Sequence, residues 1–109
     1  MITKTYVKSR KMWNVTFAVP EKELPEGIKV EQLNLVGSFN NWDNSAIPMK
    51  YIKRSKTWKT SVYLPPESKA QFRYIINRQH WLNDFHADGY APNAMGSENC
   101  VVTLPQAPV

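Results

Sequence analysis

The sequence predicts an all-β fold, an immunoglobulin-like β-sandwich. Three observations lead there. The dominant apolar period is two rather than 3.6. Six or seven short strand-like runs, each bounded by turn residues, fit within 109 residues. No stretch shows convincing helical periodicity.

The elements follow in order. Trp13, Val15, Phe17 and Val19 alternate with Asn14, Thr16 and Ala18, which describes a half-buried strand ended by Pro20. Glu21 to Gly27 reads as a polar loop with Pro25 inside it. Gln32 to Val36 is the next strand, and 47–52 is a short one with proline near its start. Over 57–64, Trp58, Thr60, Val62 and Leu64 share one face, and Lys59, Ser61 and Tyr63 share the other. Pro65-Pro66 stops that run. Over 70–76, Phe72, Tyr74 and Ile76 face one way, and Gln71, Arg73 and Ile75 the other. Asn77 to His80 is a turn, and Trp81-Leu82 is the short return arm of a hairpin. Residues 83–99 read as a long loop rich in Asp, Asn, Pro and Gly, with Phe85, Tyr90 and Met95 to order it. Cys100 to Leu104 is the final strand. One domain over 1–109 is expected, with its core at about 13–104.

Composition narrows the function classes. At 42% hydrophobic and 21% charged, the chain reads as a soluble globular protein. No run approaches the roughly 18 apolar residues of a membrane span, so no membrane partner is expected. Met1 to Tyr6 has no apolar leader core, which predicts no export. Cys100 is the lone cysteine, in an apolar strand, and a reduced cytoplasmic setting fits it. The net charge is +5, with Lys4, Lys8, Arg10 and Lys11 near the start and Lys50, Lys53, Arg54, Lys56 and Lys59 mid-chain. No recognition helix or aromatic RNA-binding strand accompanies them, so they read as solubility and edge protection rather than a nucleic-acid patch.

Chemistry concentrates elsewhere. The run Gly37-Ser38-Phe39-Asn40-Asn41-Trp42-Asp43 delivers an indole into a polar loop. Trp42 either covers the end of the sandwich or forms a binding platform. Trp81 stands in a similar polar setting, and two loop indoles suggest a surface that binds something flat. Alternation puts Arg73 outward on the strand that mates with Trp81, where it is either a solvated cation or a fork of donors for hydroxyl groups. Asn99 carries both an acceptor and donors that suit vicinal hydroxyls, or else it caps the loop locally. Trp13 and Trp58 lie in register with core faces. His80, Asp84, His86 and Asp88 lack metal-ligand spacing, so no metal is expected; Asp84 and Asp88 read as Asx-turn residues. No nucleophile elbow is present, Cys100 reads as a core thiol, and no cofactor is implied.

These residues carry a resemblance. The run 37–42, then Gln71-Phe72-Arg73-Tyr74 to Trp81, then Asp84, then 93–99 before a Val-rich strand, resemble carbohydrate-binding module family 48. That family includes the isoamylase early-set domain and the glycogen-binding domain of the AMP-activated protein kinase β subunit. The resemblance spans Trp13 to Leu104. It implies an early-set sandwich with a glucan site made of Trp42, Arg73, Trp81, Met95, Ser97 and Asn99. The tryptophans would stack on sugar rings, Arg73 would replace the usual lysine, and Met95 would touch a ring. Ser97 would supply a hydroxyl and Asn99 an amide. The turn before Trp81 is longer than in the kinase domain and lacks its customary glycine. The implied function is non-catalytic binding of α-1,4-linked glucan such as glycogen, starch or maltooligosaccharide, by a stand-alone domain. The alternative is a regulatory or docking module for a separate glycogen-metabolising enzyme or kinase, with weak or no sugar binding. Catalysis in the family's enzymes lies in a separate barrel, so no enzyme activity is expected.

Overall fold

The computed structural model describes residues 1–43 and 47–108. Among them lie nine strands: β1 (Ile2–Val7), β2 (Met12–Pro20), β3 (Leu33–Gly37), β4 (Lys50–Ile52), β5 (Thr57–Leu64), β6 (Ser68–Ile76), β7 (His80–Leu82), β8 (Gly89–Pro92) and β9 (Glu98–Leu104). One antiparallel sheet runs β1-β2-β5-β4, and the other runs β3-β6-β9-β8 with β7 paired to β6. The fold is the expected all-β, immunoglobulin-like sandwich. No helix among the described residues is long and apolar enough to cross a membrane.

Two strands exceed the sequence reading, and each has a reason. β1 was masked by Lys4, which occupies a position opposite buried Val15. Its ammonium reaches across the sandwich edge to Asp88 Oδ2 at 2.7 Å and Thr103 O at 2.8 Å, tying the first sheet to the second. β8 lies inside the expected 83–99 loop, where Gly and Pro hide it; both are tolerated on an edge strand. The expected 47–52 strand changes sheets instead. Leu35 N–H donates to Ile47 O and Met49 N–H to Leu33 O, so 47–49 lines the edge of β3 before β4 pairs with β5.

The core fills the space between the sheets. Phe17 meets Phe72 edge to face at 4.9 Å, and Phe72 meets Tyr74 at 5.7 Å. Trp13 and Trp58 pack against this core but stay partly exposed, and Trp13 Nε1 donates to Pro105 O. The buried Tyr74 hydroxyl donates to Asp84 Oδ2 at 2.6 Å. Asp84 also makes the expected Asx turn, accepting from His86 N–H at 2.7 Å. Asp88 does not make one. It accepts from Lys4 and from Thr103 N–H, because β1 brings a cation within reach. Burial works against the Asp88 carboxylate, but those two donors hold it below the usual carboxylate range.

The turn after β3 is built for one purpose. A Cβ on Gly37 would sit 2.6 Å from Gln71 O, so only glycine lets β3 and its turn lie this close to β6. Ser38 Oγ accepts from Gln71 N–H at 3.2 Å, and Phe39 packs toward Phe17. Asn40 bridges the turn: its Oδ1 accepts from Gly37 N–H and its Nδ2 donates to Leu35 O. Asn41 and Trp42 then adopt φ of 56° and 59°, and Trp42 N–H closes back on Gly37 O at 2.9 Å.

Gly37→Ala is therefore expected to lower stability by about 1–3 kcal/mol, since the added methyl meets backbone rather than a flexible side chain. Gly89→Ala, whose Cβ would meet only Val101 Cβ at 4.0 Å, is the control. Urea denaturation checks this, and equal midpoints for Gly37→Ala and the parent would refute the close-approach argument.

Cys100 is buried in β9, and burial pushes its thiol from 9.0 up to about 11. Because the folded value is the higher one, this contribution to stability is complete below about pH 9 and is lost as pH rises through about 11. At pH 8 iodoacetamide is expected to label the native protein at least about tenfold more slowly than the urea-unfolded chain. Equal labelling rates would contradict the burial of the thiol.

Candidate functional site

The outer face of the second sheet gathers four of the six expected site residues. Along β6, Ala70, Phe72, Tyr74 and Ile76 are buried inward, so Lys69, Gln71, Arg73 and Ile75 point outward. The β6–β7 hairpin pairs Ile75 with Trp81, which puts that indole on the same face. No glycine is needed in the hairpin. Asn77 and Arg78 take φ of 51° and 58°, and Gln79 N–H closes on Ile76 O, the left-handed pair that a tight hairpin turn requires. Asn77 then anchors the turn, accepting from Glu31 and Gln32 N–H and donating to Lys29 O.

Trp81 is 44% exposed, and the Arg73 guanidinium lies 5.3 Å from its ring centroid. Arg73 Nε donates to Asn83 Oδ1 at 2.7 Å, and Asn83 Nδ2 donates to Glu98 O. The cation is thus held between an indole and an amide.

Trp42 is 36% exposed, so it is a surface indole rather than a buried cover. It shares a hollow of about 570 Å³ with Ser38, Lys69, Gln71, Ala91 and Val101. Asn99 joins this group from β9. Its Nδ2 donates to Gln71 Oε1 at 2.9 Å, and its Oδ1 accepts from Asn93 Nδ2 at 3.1 Å. Asn99 therefore bonds one side chain across to β6 and one in its own β8–β9 turn. Trp42, Asn99 and Gln71 form one connected group, and Gln71 stands two residues from Arg73 and its indole partner.

Met95 and Ser97 sit on the β8–β9 hairpin turn. Asn93 Oδ1 accepts from both of their N–H groups, at 3.0 and 3.1 Å, and Gly96 takes φ 78°. Met95 is 88% exposed, so its side chain packs on little. Their place is beside the four residues above, on the turn that follows β8.

Three residues of this face escaped the sequence reading. Gln71 was legible, since it shares the outward alternation of Arg73. Asn83 had no local signal, because Arg73 and Glu98 lie on other strands, whereas Asn93 bonds within its own turn, an ordinary use of a loop Asn. A larger hollow, about 850 Å³, opens between the 21–30 segment and Tyr51 and Trp58, and it holds no residue of this face. Among the described residues no group of three or more His, Cys, Asp or Glu converges as metal ligands would.

Comparison with known proteins adds the family. No curated protein sequence matches the chain significantly. Among solved structures, the ferric enterobactin esterase of Salmonella typhimurium superposes with a TM-score of 0.73 at 12% identity, covering 99% of this chain and 35% of its own. The Shigella flexneri enterobactin esterase, solved with enterobactin, gives 0.73 at 14% identity, covering 99% and 33%. At such identity the likeness establishes the fold alone. The chain spans about a third of the length of these structures. The sequence profile of carbohydrate-binding module 48, the isoamylase N-terminal domain, matches residues 29–96, from the approach to β3 through the β8–β9 turn. The chain belongs to the carbohydrate-binding module 48 family.

Proposed function

We propose that the outer face of the second sheet binds α-1,4-linked glucan without catalysis, with Trp42 and Trp81 as its two stacking platforms. The observation that carries this is an exposed indole on either side of a fixed row of hydrogen-bonding side chains, Arg73, Gln71 and Asn99. Pyranose rings present apolar C–H faces that pack on indole, and their edges carry hydroxyls that need donors and acceptors. Arg73 and Asn99 are already oriented by Asn83, Gln71 and Asn93, so binding need not order them. Met95 extends the apolar contact and Ser97 adds a hydroxyl from the adjoining turn. The face is open, so a single oligosaccharide binds weakly, on the order of 4–8 kcal/mol, and avidity comes from the polymer. The buried, unpaired Cys100 supports a reducing, cytoplasmic setting.

A second reading has one observation behind it. The same fold makes up about a third of much longer esterases, so it exists as one part of larger enzymes. On that reading the chain is a regulatory or docking module for a glycogen-metabolising enzyme.

Affinity electrophoresis through glycogen, with β-cyclodextrin as competitor, separates the two. The parent protein is expected to be retarded, and Trp42→Ala and Trp81→Ala each to weaken binding about tenfold or more. No retardation of the parent would sink the glucan reading and leave the docking module. Retardation unchanged in both variants would move the site elsewhere on the chain.

A further inference from the structure

The hydrogen-bond directions on the outer face are lopsided. Each amide oxygen beside the indoles already accepts: Asn83 Oδ1 from Arg73, Asn99 Oδ1 from Asn93, and Gln71 Oε1 from Asn99. What β6 presents outward is a line of donors. It comprises the Lys69 ammonium, the Gln71 Nε2 amide and the remaining guanidinium N–H groups of Arg73. Alternate residues on one strand face stand about 6–7 Å apart, so the line runs about 13 Å.

Charge follows the same bias. No outward strand position of β6, β7, β8 or β9 carries a carboxylate; the nearest in sequence are Glu98, exposed at the start of β9, and Asp43, which follows Trp42 in its loop. Lys69 makes no ion pair among the described residues, and it lines the hollow beside Trp42 with Ala91 and Val101 as apolar floor. Arg73 stands at the other end of the line, against Trp81.

A sugar hydroxyl both gives and accepts, whereas most of the groups left free on this face are donors, each amide oxygen having already accepted one bond. A phosphate monoester differs. It carries about −1.5 to −2 charges at neutral pH, and its oxygens accept strongly. We propose that the glucan preferred by this face carries phosphate monoesters, with Lys69 receiving the phosphate while Trp42 and Trp81 hold sugar rings beside it. The inference rests on the glucan reading above and names the class of glucan.

The test compares affinity gels containing chemically phosphorylated amylopectin with gels containing its unmodified parent polymer, at physiological salt. The wild-type protein is expected to bind the phosphorylated polymer about threefold more tightly. Lys69→Gln is expected to abolish that preference, so that the two polymers retard it equally. Lys59→Gln makes the same charge change on the outer face of the first sheet and is expected to keep the preference. Equal wild-type binding to both polymers would overturn this inference and leave the glucan reading standing. A preference lost as fully in Lys59→Gln would also overturn it, since net charge would then be the cause. Retention on the phosphorylated polymer that survives Trp42→Ala would do the same. No wild-type retardation on either polymer would overturn the glucan reading itself.

Discussion

The outer face depends on a change of partner along β6. On one side β3 follows β6 from Phe72 to Ile76. On the other side β9 pairs only as far as Phe72, opposite Cys100, and β7 takes over at Tyr74, opposite Leu82. Something must fill the split between β9 and β7, and Asn83 and Asp84 do so. Asp84 closes it from the core side, accepting from the Tyr74 hydroxyl while its own N–H meets Cys100 Sγ at 3.2 Å. Asn83 closes it from the outer side, bridging Arg73 to Glu98 O. A buried polar group left unpaired costs about 1–3 kcal/mol, whereas a cross-strand side-chain pair contributes about 0.2–1 kcal/mol. Three residue pairs hold β7 to β6, a contribution of similar size, so the strand pairing and the polar wedge together set where β7, and Trp81 with it, comes to rest.

The legible parts of the sequence were those where one side of a strand is dry and the other wet. β2, β5 and β6 show that contrast along most of their length, and their alternation gave away both the strands and the outward position of Arg73. β1 breaks the pattern because an edge lysine can occupy an inward position when a carboxylate waits across the sandwich. β8 breaks it because an edge strand tolerates Gly and Pro. The candidate site divides the same way. Trp42, Arg73, Trp81 and Asn99 were visible from turn chemistry, alternation and family resemblance. Gln71 looked like an ordinary solvated amide, since nothing local says that Asn99 arrives from a strand 28 residues on. Asn83 and Asn93 act through side-chain pairs 10 and 6 residues distant, and no periodicity encodes those.

The two indoles are held by different means. Trp42 is fixed by backbone. A bulky residue at φ 59° is strained, at a cost of order 1–3 kcal/mol, and persists only where its surroundings over-determine it. Here they do, through the Asn40 bridge, the closure of Trp42 N–H on Gly37 O, and the near-contact of Gly37 with β6. A glycine would relieve the strain but present no ring. The strain therefore belongs with the display of the indole rather than with folding.

Trp81 is braced by a side chain. Its hairpin turn, with Asn77 and Arg78 at positive φ and Asn77 tied to residues 29–32, fixes the backbone of β7 but leaves the rotation of the ring open. Arg73 closes that freedom. Lysine at this position could offer a point charge but not a planar group that bonds Asn83 edge-on while resting against the indole. Arginine does both at once, and Asn83 in turn is tied to β9 through Glu98 O. The orientation of Trp81 is thus set through β6 and β9 as well as through its own turn. The glycine-free hairpin is held by its left-handed pair and by Asn77, and Arg73 adds a brace against the ring itself.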